Sequence, residues 1–212
     1  MSAKPGDSRE YFEDVASDWD EIRKRYFRDG LAGKALAAAG VEPGKLAADI
    51  GAGSGFLTAA LLEAGLRVVA VDRSESMRAA LGRKFAQRGE LEVREGESEA
   101  LPLADGEADY ALANMYLHHV ERPPEAIREM ARILRPGGRL VITDMDAHGH
   151  AWVIEEFHDR WLGFARNEMQ SWMKAAGLRR VSVRDVGEIC QGDSARGHGH
   201  VDLPMFIAVG EK

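Results

Sequence analysis

A glycine-rich turn between an apolar run and a helical pattern constrains this chain more than any other feature. The apolar run contains Asp49, glycines follow at Gly51, Gly53 and Gly55, and apolar residues then recur at helical spacing. Glycine permits positive φ and lets bare backbone approach a ligand, and the first N–H groups of the following helix are unpaired donors. The stretch therefore predicts a strand, a ligand-binding turn and a helix.

The details of this turn indicate which kind of ligand it binds. Dinucleotide sites carry G-x-G-x-x-G, whose last glycine lets helix and strand pack closely, whereas Phe56 stands at that position here. Asp49 lies just before the loop, where a carboxylate would repel a pyrophosphate but would suit a cationic ligand. S-adenosylmethionine (SAM) has a sulfonium and an ammonium group and no phosphate, so these residues favour SAM over a dinucleotide.

A second carboxylate supports a nucleoside ligand. Asp72 ends an apolar run at residues 67–71, 21 residues after Gly51, where an acid accepts hydrogen bonds from both ribose hydroxyls. This acid suits NAD and SAM equally. The choice between them therefore rests on the glycine turn and Asp49.

Composition limits the class of protein. The 212 residues, 45% of them hydrophobic, suit one domain of ordinary size. The net charge of −7 leaves no overall basic surface for nucleic acid or an anionic membrane, and the cluster Arg23, Lys24, Arg25 and Arg28 is typical of a solvated helix face. The single cysteine, Cys190, excludes an internal disulfide and a thiolate metal cluster. No secretory signal or membrane-spanning run is visible, which favours the cytoplasm.

The first 45 residues precede the sheet pattern and are rich in aromatic side chains. Tyr11, Trp19 and Tyr26 recur there at helical spacing. Such side chains can pack on the core or close over a bound cofactor. We expect residues 1–45 to form a helical lid and residues 46–212 to form the SAM-binding core of a single domain.

Strand and helix patterns alternate along the rest of the chain. The predicted strands are 46–50, 67–72, 91–95, 108–113, 140–145, 179–186 and 203–209, and the predicted helices are 55–64, 75–87, one from 123 and one over 169–176, with an irregular stretch at 144–168. This order predicts a three-layer α/β fold with a doubly wound, seven-stranded, mostly parallel sheet and helices on both faces. Because no helix separates the last two strands, the final strand is expected to run antiparallel.

Four stretches follow the carboxyl ends of strands, where ligands of such sheets bind. They are residues 49–56, 72–77, 96–99 and 114–119. Together they resemble the class I, Rossmann-like SAM-dependent methyltransferases, and within them the type 11 small-molecule group that includes quinone-biosynthesis methyltransferases. The resemblance runs from about residue 9 to residue 145.

The resemblance implies a role for each motif. Met77 would lie against the adenine, Glu97 and Ser98 would read its edge, and Asn114 would face the methionine tail, although an aspartate is usual where Glu97 stands. The expected cofactor-binding residues are Tyr11, Trp19, Asp49, Gly51, Gly53, Gly55, Asp72, Arg73, Met77, Glu97, Ser98 and Asn114.

The chain offers few candidates for chemistry beyond alignment, because SAM is already an activated methyl donor. His118 and His119 follow the fourth strand at the active edge and are the candidate proton acceptors, with structural packing as the alternative. The loops 144–150 and 198–200 carry His-x-His pairs and carboxylates that metals accept, but nothing in their spacing fixes a geometry, so no metal is expected.

The sequence thus favours an enzyme that moves a methyl group from SAM to a small organic acceptor. Two alternatives remain open, a SAM-binding sensor or partner module without turnover and a metal-binding regulator. Because the rest of the chain is committed to the cofactor, the acceptor site is expected within residues 11–28 and 144–168.

Overall fold

The computed structural model describes residues 8–212, which form one seven-stranded sheet with helices packed around it. The strands are β1 (Leu46–Ile50), β2 (Arg67–Asp72), β3 (Leu91–Glu95), β4 (Ala108–Asn114), β5 (Leu134–Met145), β6 (Arg179–Asp193) and β7 (His200–Glu211). The helices are α1 (Ser8–Val15), α2 (Trp19–Arg23), α3 (Gly30–Ala39), α4 (Phe56–Glu63), α5 (Glu75–Lys84), α6 (Pro123–Arg132), α7 (Trp152–Glu156) and α8 (Arg166–Ala175), with a short 3₁₀ helix at Leu117–His119.

The strand order is β3-β2-β1-β4-β5-β7-β6. β7 pairs antiparallel with both β5 and β6, and the other pairs are parallel. The predicted fold class, including the antiparallel last strand, is confirmed. Strand order reverses between β1 and β4, and a crevice opens there at the carboxyl ends of the strands.

Apolar side chains cover both faces of the sheet, as a doubly wound fold requires. One face is covered by α6 and α8, whose Ile127 and Met169 are fully buried. The other is covered by α3, α4 and α5, whose Leu31, Leu61 and Leu81 are fully buried. None of the helices within residues 8–212 is long and apolar enough to cross a bilayer.

Several element boundaries differ from the sequence predictions. α5 ends at Lys84 rather than at 87, and the stretch 144–168 contains α7. β5 begins at Leu134 because the chain stays paired with β4 across an irregularity near Ala108. β6 and β7 are longer than predicted because they continue as a two-stranded ribbon up to the pair Asp193 and His200.

Candidate functional site

A well-formed cavity of about 400 Å³ lies at the strand order reversal. We call it the cofactor cavity, because the sequence predicts the cofactor at this edge of the sheet. The glycine turn, the ends of β2 and β4 and the N-terminal helices surround it. The predicted site residues that line it are Trp19, Asp49, Gly51, Gly53, Asp72, Arg73, Met77, Glu97, Ser98, Asn114 and His119. Tyr11, Gly55 and His118 are not among its lining residues.

The glycine turn has the backbone that its sequence predicts. Gly51 and Gly53 have φ of 68° and 53°, in the left-handed region that side chains disfavour. A Cβ atom at Gly51 would overlap the ring of Tyr116, and one at Gly53 would lie 3.5 Å from Nε1 of Trp19. Gly55 is instead the N-cap residue of α4, and a Cβ there would come within 2.6 Å of the Phe85 ring. Gly55 therefore shapes the turn rather than the cavity wall.

Asp49 places a buried carboxyl group in the wall of this cavity. Thr58 Oγ1 donates a hydrogen bond to its Oδ2 at 2.6 Å. Burial raises the pKa of Asp49 to about 7, against the lowering effect of Thr58, and the nearby charge of Asp72 raises it as well. A cationic ligand would relieve both costs, which agrees with the preference inferred from the sequence.

Asp72 organises the loop as well as facing the cavity. The backbone N–H of Gly53 donates to its Oδ2 at 2.8 Å, and the backbone N–H of Ser74 donates to its Oδ1 at 2.9 Å. Ser74 Oγ in turn accepts from the N–H of Met77 at the start of α5. Burial raises the pKa of Asp72, while the two backbone N–H groups lower it. One carboxylate thus joins the glycine turn to α5.

Tyr116 is a residue that the sequence analysis did not single out. It lines the cavity with its ring against Gly51. Burial raises the pKa of its hydroxyl, and a side-chain hydrogen bond with Ser98 opposes that change. Its position between Asn114 and His118, within the stretch 114–119 that the sequence assigns to the site, could have identified it as a site residue.

Arg23 is the exception in the basic cluster that the sequence predicts as a solvated helix face, since Lys24, Arg25 and Arg28 are exposed. Its side chain is 10% exposed and lines the cofactor cavity. The guanidinium lies 4.2 Å above the ring of Phe56, and its Nη2 is 2.9 Å from Asp29 Oδ1. Its Nε and Nη1 are buried without a hydrogen-bond partner. Asp20 Oδ1 lies 3.9 Å from Nε, and both nitrogens could donate to an acidic group of a ligand.

Carboxylates attach the N-terminal helices to the glycine turn and to α5. Glu13 accepts hydrogen bonds from the N–H groups of Glu75 and Ser76, at 2.8 and 2.9 Å, at the start of α5. Asp20 accepts from Ser54 Oγ and from Lys84 Nζ, both at 2.7 Å. The segment thus contacts both the glycine turn and α5.

A smaller aromatic chamber adjoins the cofactor cavity and has a volume of about 40 Å³. Its lining residues are Tyr11, Phe12, Trp19, Tyr26, Phe27, Met115, His118, His119, Met145, Phe157, Asp159 and Cys190. Five of these, Phe12, Trp19, Phe27, Met115 and His119, line the cofactor cavity as well. Tyr11 and His118, which are absent from the first cavity, therefore belong to the second.

The two candidate histidines have opposite protonation preferences. His118 Nδ1 is 2.8 Å from Asp144 Oδ1, and its Nε2 is 3.6 Å from Asp159 Oδ1. Burial lowers the pKa of His118, but the two carboxylates outweigh that effect and raise it to about 9. Burial and the charge of His118 lower the pKa of His119. At neutral pH His118 is thus cationic and His119 neutral.

The His-x-His pairs do not come together. His200 contacts Asp193 and Asp202, at 2.8 and 3.2 Å, while His198 lies 3.8 Å from Glu156. The cluster that forms within residues 8–212 is instead His118, His119 and Asp159, with one N or O atom of each lying within 4.8 Å of the others. Asp159 was not singled out from the sequence.

Comparisons with known proteins identify the family. A family model described as a methyltransferase domain matches residues 48–142. Demethylmenaquinone methyltransferase of Clavibacter sepedonicus is 33% identical over 216 residues, which cover 88% of this chain and 88% of that protein. The chain belongs to the SAM-dependent methyltransferases. Its cofactor is SAM.

Solved structures share the fold of this methyltransferase at low sequence identity. A SAM-dependent methyltransferase from Aquifex aeolicus superposes with a TM-score of 0.68 at 20% identity, covering 99% of both chains. The [4+2]-cyclase SpnF superposes with a TM-score of 0.77 at 16% identity, covering 100% of this chain and 97% of that one. The methyltransferase spans 33% to 61% of the length of three other curated relatives.

Proposed function

We propose that this methyltransferase transfers the methyl group of SAM to a small organic acceptor that enters the aromatic chamber. The chamber's volume of about 40 Å³ is room for only a few water molecules, so its N-terminal side chains, such as Phe12 and Trp19, must move outward to admit an aromatic ring. The observation that carries this proposal is the shared wall, since five residues line both the chamber and the cofactor cavity. Methyl transfer is an in-line displacement, so donor and acceptor need adjoining compartments from which water is excluded. The relative from Clavibacter sepedonicus is named for demethylmenaquinone, and an aromatic acceptor of that kind suits the aromatic walls.

The proposed cofactor pose uses the charges in the cavity. Asp72 would accept the ribose hydroxyls, and Met77, Glu97 and Ser98 would surround the adenine. At the other end, Asn114 and Asp49 would face the methionine portion. The unpartnered donors of Arg23 fit its carboxylate, because an Arg–carboxylate pair forms strong, directional hydrogen bonds.

Other partners are less compatible with the chain. A net charge of −7 disfavours nucleic acid, so we propose that the partner is a small-molecule acceptor only. A cytoplasmic location is proposed because the single cysteine, Cys190, is a free thiol, which a reducing compartment preserves.

Release of S-adenosylhomocysteine tests the proposed function. The protein should release it in the presence of at least one member of a panel of quinols, phenols, thiols and amines, because the chamber gives an acceptor direct access to the methyl group. Mass spectrometry would identify the methylated product. SAM binding without turnover on any member would instead support a sensor or partner module.

We also propose that residues 1–45 act as a lid over a core formed by 46–212. If Arg23 binds the SAM carboxylate, SAM should hold the helices α1 and α2 down and slow cleavage there by chymotrypsin. Arg23→Gln should remove this protection and weaken SAM binding by about tenfold, the value of one charge-assisted hydrogen bond. Cleavage sites and rates would be read by mass spectrometry, and affinity by calorimetry.

Arg25→Gln is the matched control, because Arg25 is exposed two residues away. This variant should keep both the protection from chymotrypsin by SAM and the SAM affinity of the wild type. If SAM protected the Arg23→Gln variant from chymotrypsin as well as it protects the wild type, the N-terminal helices would only pack on the core.

A further inference from the structure

The cofactor cavity is not lined by Asp144, His118 or Asp159, which are buried side by side. Asp144 is fully buried, while His118 and Asp159 are 3% and 2% exposed. The backbone N–H groups of Met145 and His118 also donate to Asp144, at 2.8 and 3.3 Å. A fixed carboxylate thus orients the imidazole of His118, whose other nitrogen lies 3.6 Å from Asp159.

We propose that Asp159 is the general base that removes a proton from an aromatic hydroxyl of the acceptor, with His118 and Asp144 as positioning residues. This inference rests on the proposed function and names its substrate class, a phenol or a quinol. Asp159 is suitable because it lines the aromatic chamber rather than the cofactor cavity. An acceptor in the chamber would have its hydroxyl near Asp159 and its reacting atom near the shared wall.

The composition of the chamber fits a flat aromatic acceptor. Phe12, Trp19 and Phe27 line the side shared with the cofactor cavity. They offer aromatic surface for stacking. The groups at the inner side, Asp159 and His118, are polar. An acceptor with an apolar ring and an acidic hydroxyl meets both requirements.

The charges around Asp159 prepare it to accept a proton near neutral pH. Burial raises its pKa to about 7, with His118 lowering it and Asp144 raising it. The other titratable groups facing the chamber are Tyr11 and Tyr26 from the N-terminal segment, His119 beside His118, and Cys190 from β6. Burial raises the pKa values of both tyrosines and of Cys190, so these three groups stay neutral.

His119 is a poorer base, although it lines both cavities. Its Nδ1 lies 3.3 Å from the carbonyl oxygen of His158, and its ring is 4.1 Å from that of His118. Protonating it would place two cations in contact within a buried region. It can still hydrogen-bond to the acceptor in its neutral form.

The cofactor supplies both the methyl group and the leaving group of the proposed step. The hydroxyl proton moves to an Asp159 carboxylate oxygen as the acceptor oxygen, or the ring carbon conjugated with it, forms a bond to the methyl carbon. The carbon–sulfur bond of SAM breaks, and its electron pair neutralises the sulfonium. If carbon attacks, the ring proton then leaves to water, which restores the aromatic ring, and the phenolate oxygen takes the proton back from Asp159. If oxygen attacks, Asp159 releases its proton to water after the product departs.

Asp159→Asn and a series of substituted phenols test the role of the base. The variant should keep the SAM affinity and lose at least about 100-fold in kcat on a weakly acidic phenol, within the usual range for general base catalysis. The loss should shrink steadily as the phenol becomes more acidic, because an ionised acceptor needs no base. Asp193→Asn, at an exposed carboxylate of the β6–β7 ribbon, is the matched control and should behave as the wild type. An equal loss for every phenol, or no loss, would overturn the proposal.

The pH profile tests the positioning residues. Wild-type kcat/KM should rise with pH through about 7 as Asp159 loses its proton. His118→Gln removes a positive charge that lowers the pKa of Asp159, so the midpoint should move to higher pH. A purely structural role for His118 would lower the rate and leave the midpoint in place.

A binding measurement separates this inference from the proposed function, because it needs no turnover. The affinity of the S-adenosylhomocysteine-loaded protein for phenol, whose hydroxyl ionises only near about pH 10, should rise with pH through about 7 as Asp159 loses its proton and accepts the phenol hydroxyl, and the Asp159→Asn variant should show no such rise. A phenol affinity of the wild type that does not change with pH, or no phenol binding, would overturn the inference. Turnover on amines with none on phenols would do so too while leaving the proposed function intact. One chelator-removable metal ion per chain, required for activity, would assign the cluster to metal binding instead.

Discussion

Replacing Gly53 by valine should abolish measurable SAM binding while the protein stays folded. Gly53 has a φ of 53°, which a β-branched residue adopts only with strain. Its Cβ would point toward Trp19 Nε1, 3.5 Å away, so the two methyl groups would fill space between the loop and the lid. The backbone strain and the filled space act together. We expect SAM affinity to fall by at least about 100-fold, or nearly 3 kcal/mol. Calorimetric titration with SAM measures it.

Gly33→Val provides the control for this substitution. Gly33 is exposed on α3, and no atom lies within 4 Å of a Cβ placed there. That variant gains a little helix propensity, and its SAM affinity should not change. If a folded Gly53→Val protein kept the SAM affinity of the wild type, the glycine turn would not be part of the cofactor site.

Asp72→Ala should weaken SAM binding by at least tenfold. The proposed hydrogen bonds from two ribose hydroxyls to a carboxylate are worth about 1.5–3 kcal/mol each. The substitution also removes the acceptor for the N–H groups of Gly53 and Ser74, which loosens the turn. Asp72→Asn keeps one acceptor oxygen, so its SAM affinity should lie between those of the wild type and the alanine variant.

Glu95→Ala is the matched control for the loss of an acid at a strand end. Glu95 ends β3, is exposed, and pairs with Arg78 at 3.0 Å. Its loss should change SAM affinity by less than about twofold, because exposed ion pairs contribute little. If the Asp72→Ala protein bound SAM as tightly as this control, the ribose role would be wrong.

The sequence predicted the fold and the cofactor edge because local patterns determine both. Alternating strands and helices imply a parallel sheet, and the residues that follow strand ends meet at one edge. Asp49, Asp72 and Met77 were therefore identifiable without coordinates. Their contacts depend on the first two strands and the turns that follow them.

The residues that the sequence analysis missed depend on contacts between distant segments. Asp159 lies in a loop after α7, 40 residues from His119, and no periodicity connects them. Arg23 has the charge pattern of a solvated helix, and only its packing over Phe56 shows that it is buried. The long β6–β7 ribbon was likewise predicted too short, because strand pairing beyond the sheet edge leaves alternating exposed residues rather than an apolar run.

The wall common to the two cavities would make cofactor exchange and acceptor exchange interdependent. Three of its five residues, Phe12, Trp19 and Phe27, come from the N-terminal part of the chain. If that part moves as the proposed lid, its displacement would open both compartments to solvent at once, and neither product would leave while the other is still sealed. We then expect turnover to proceed no faster than this one gate opens.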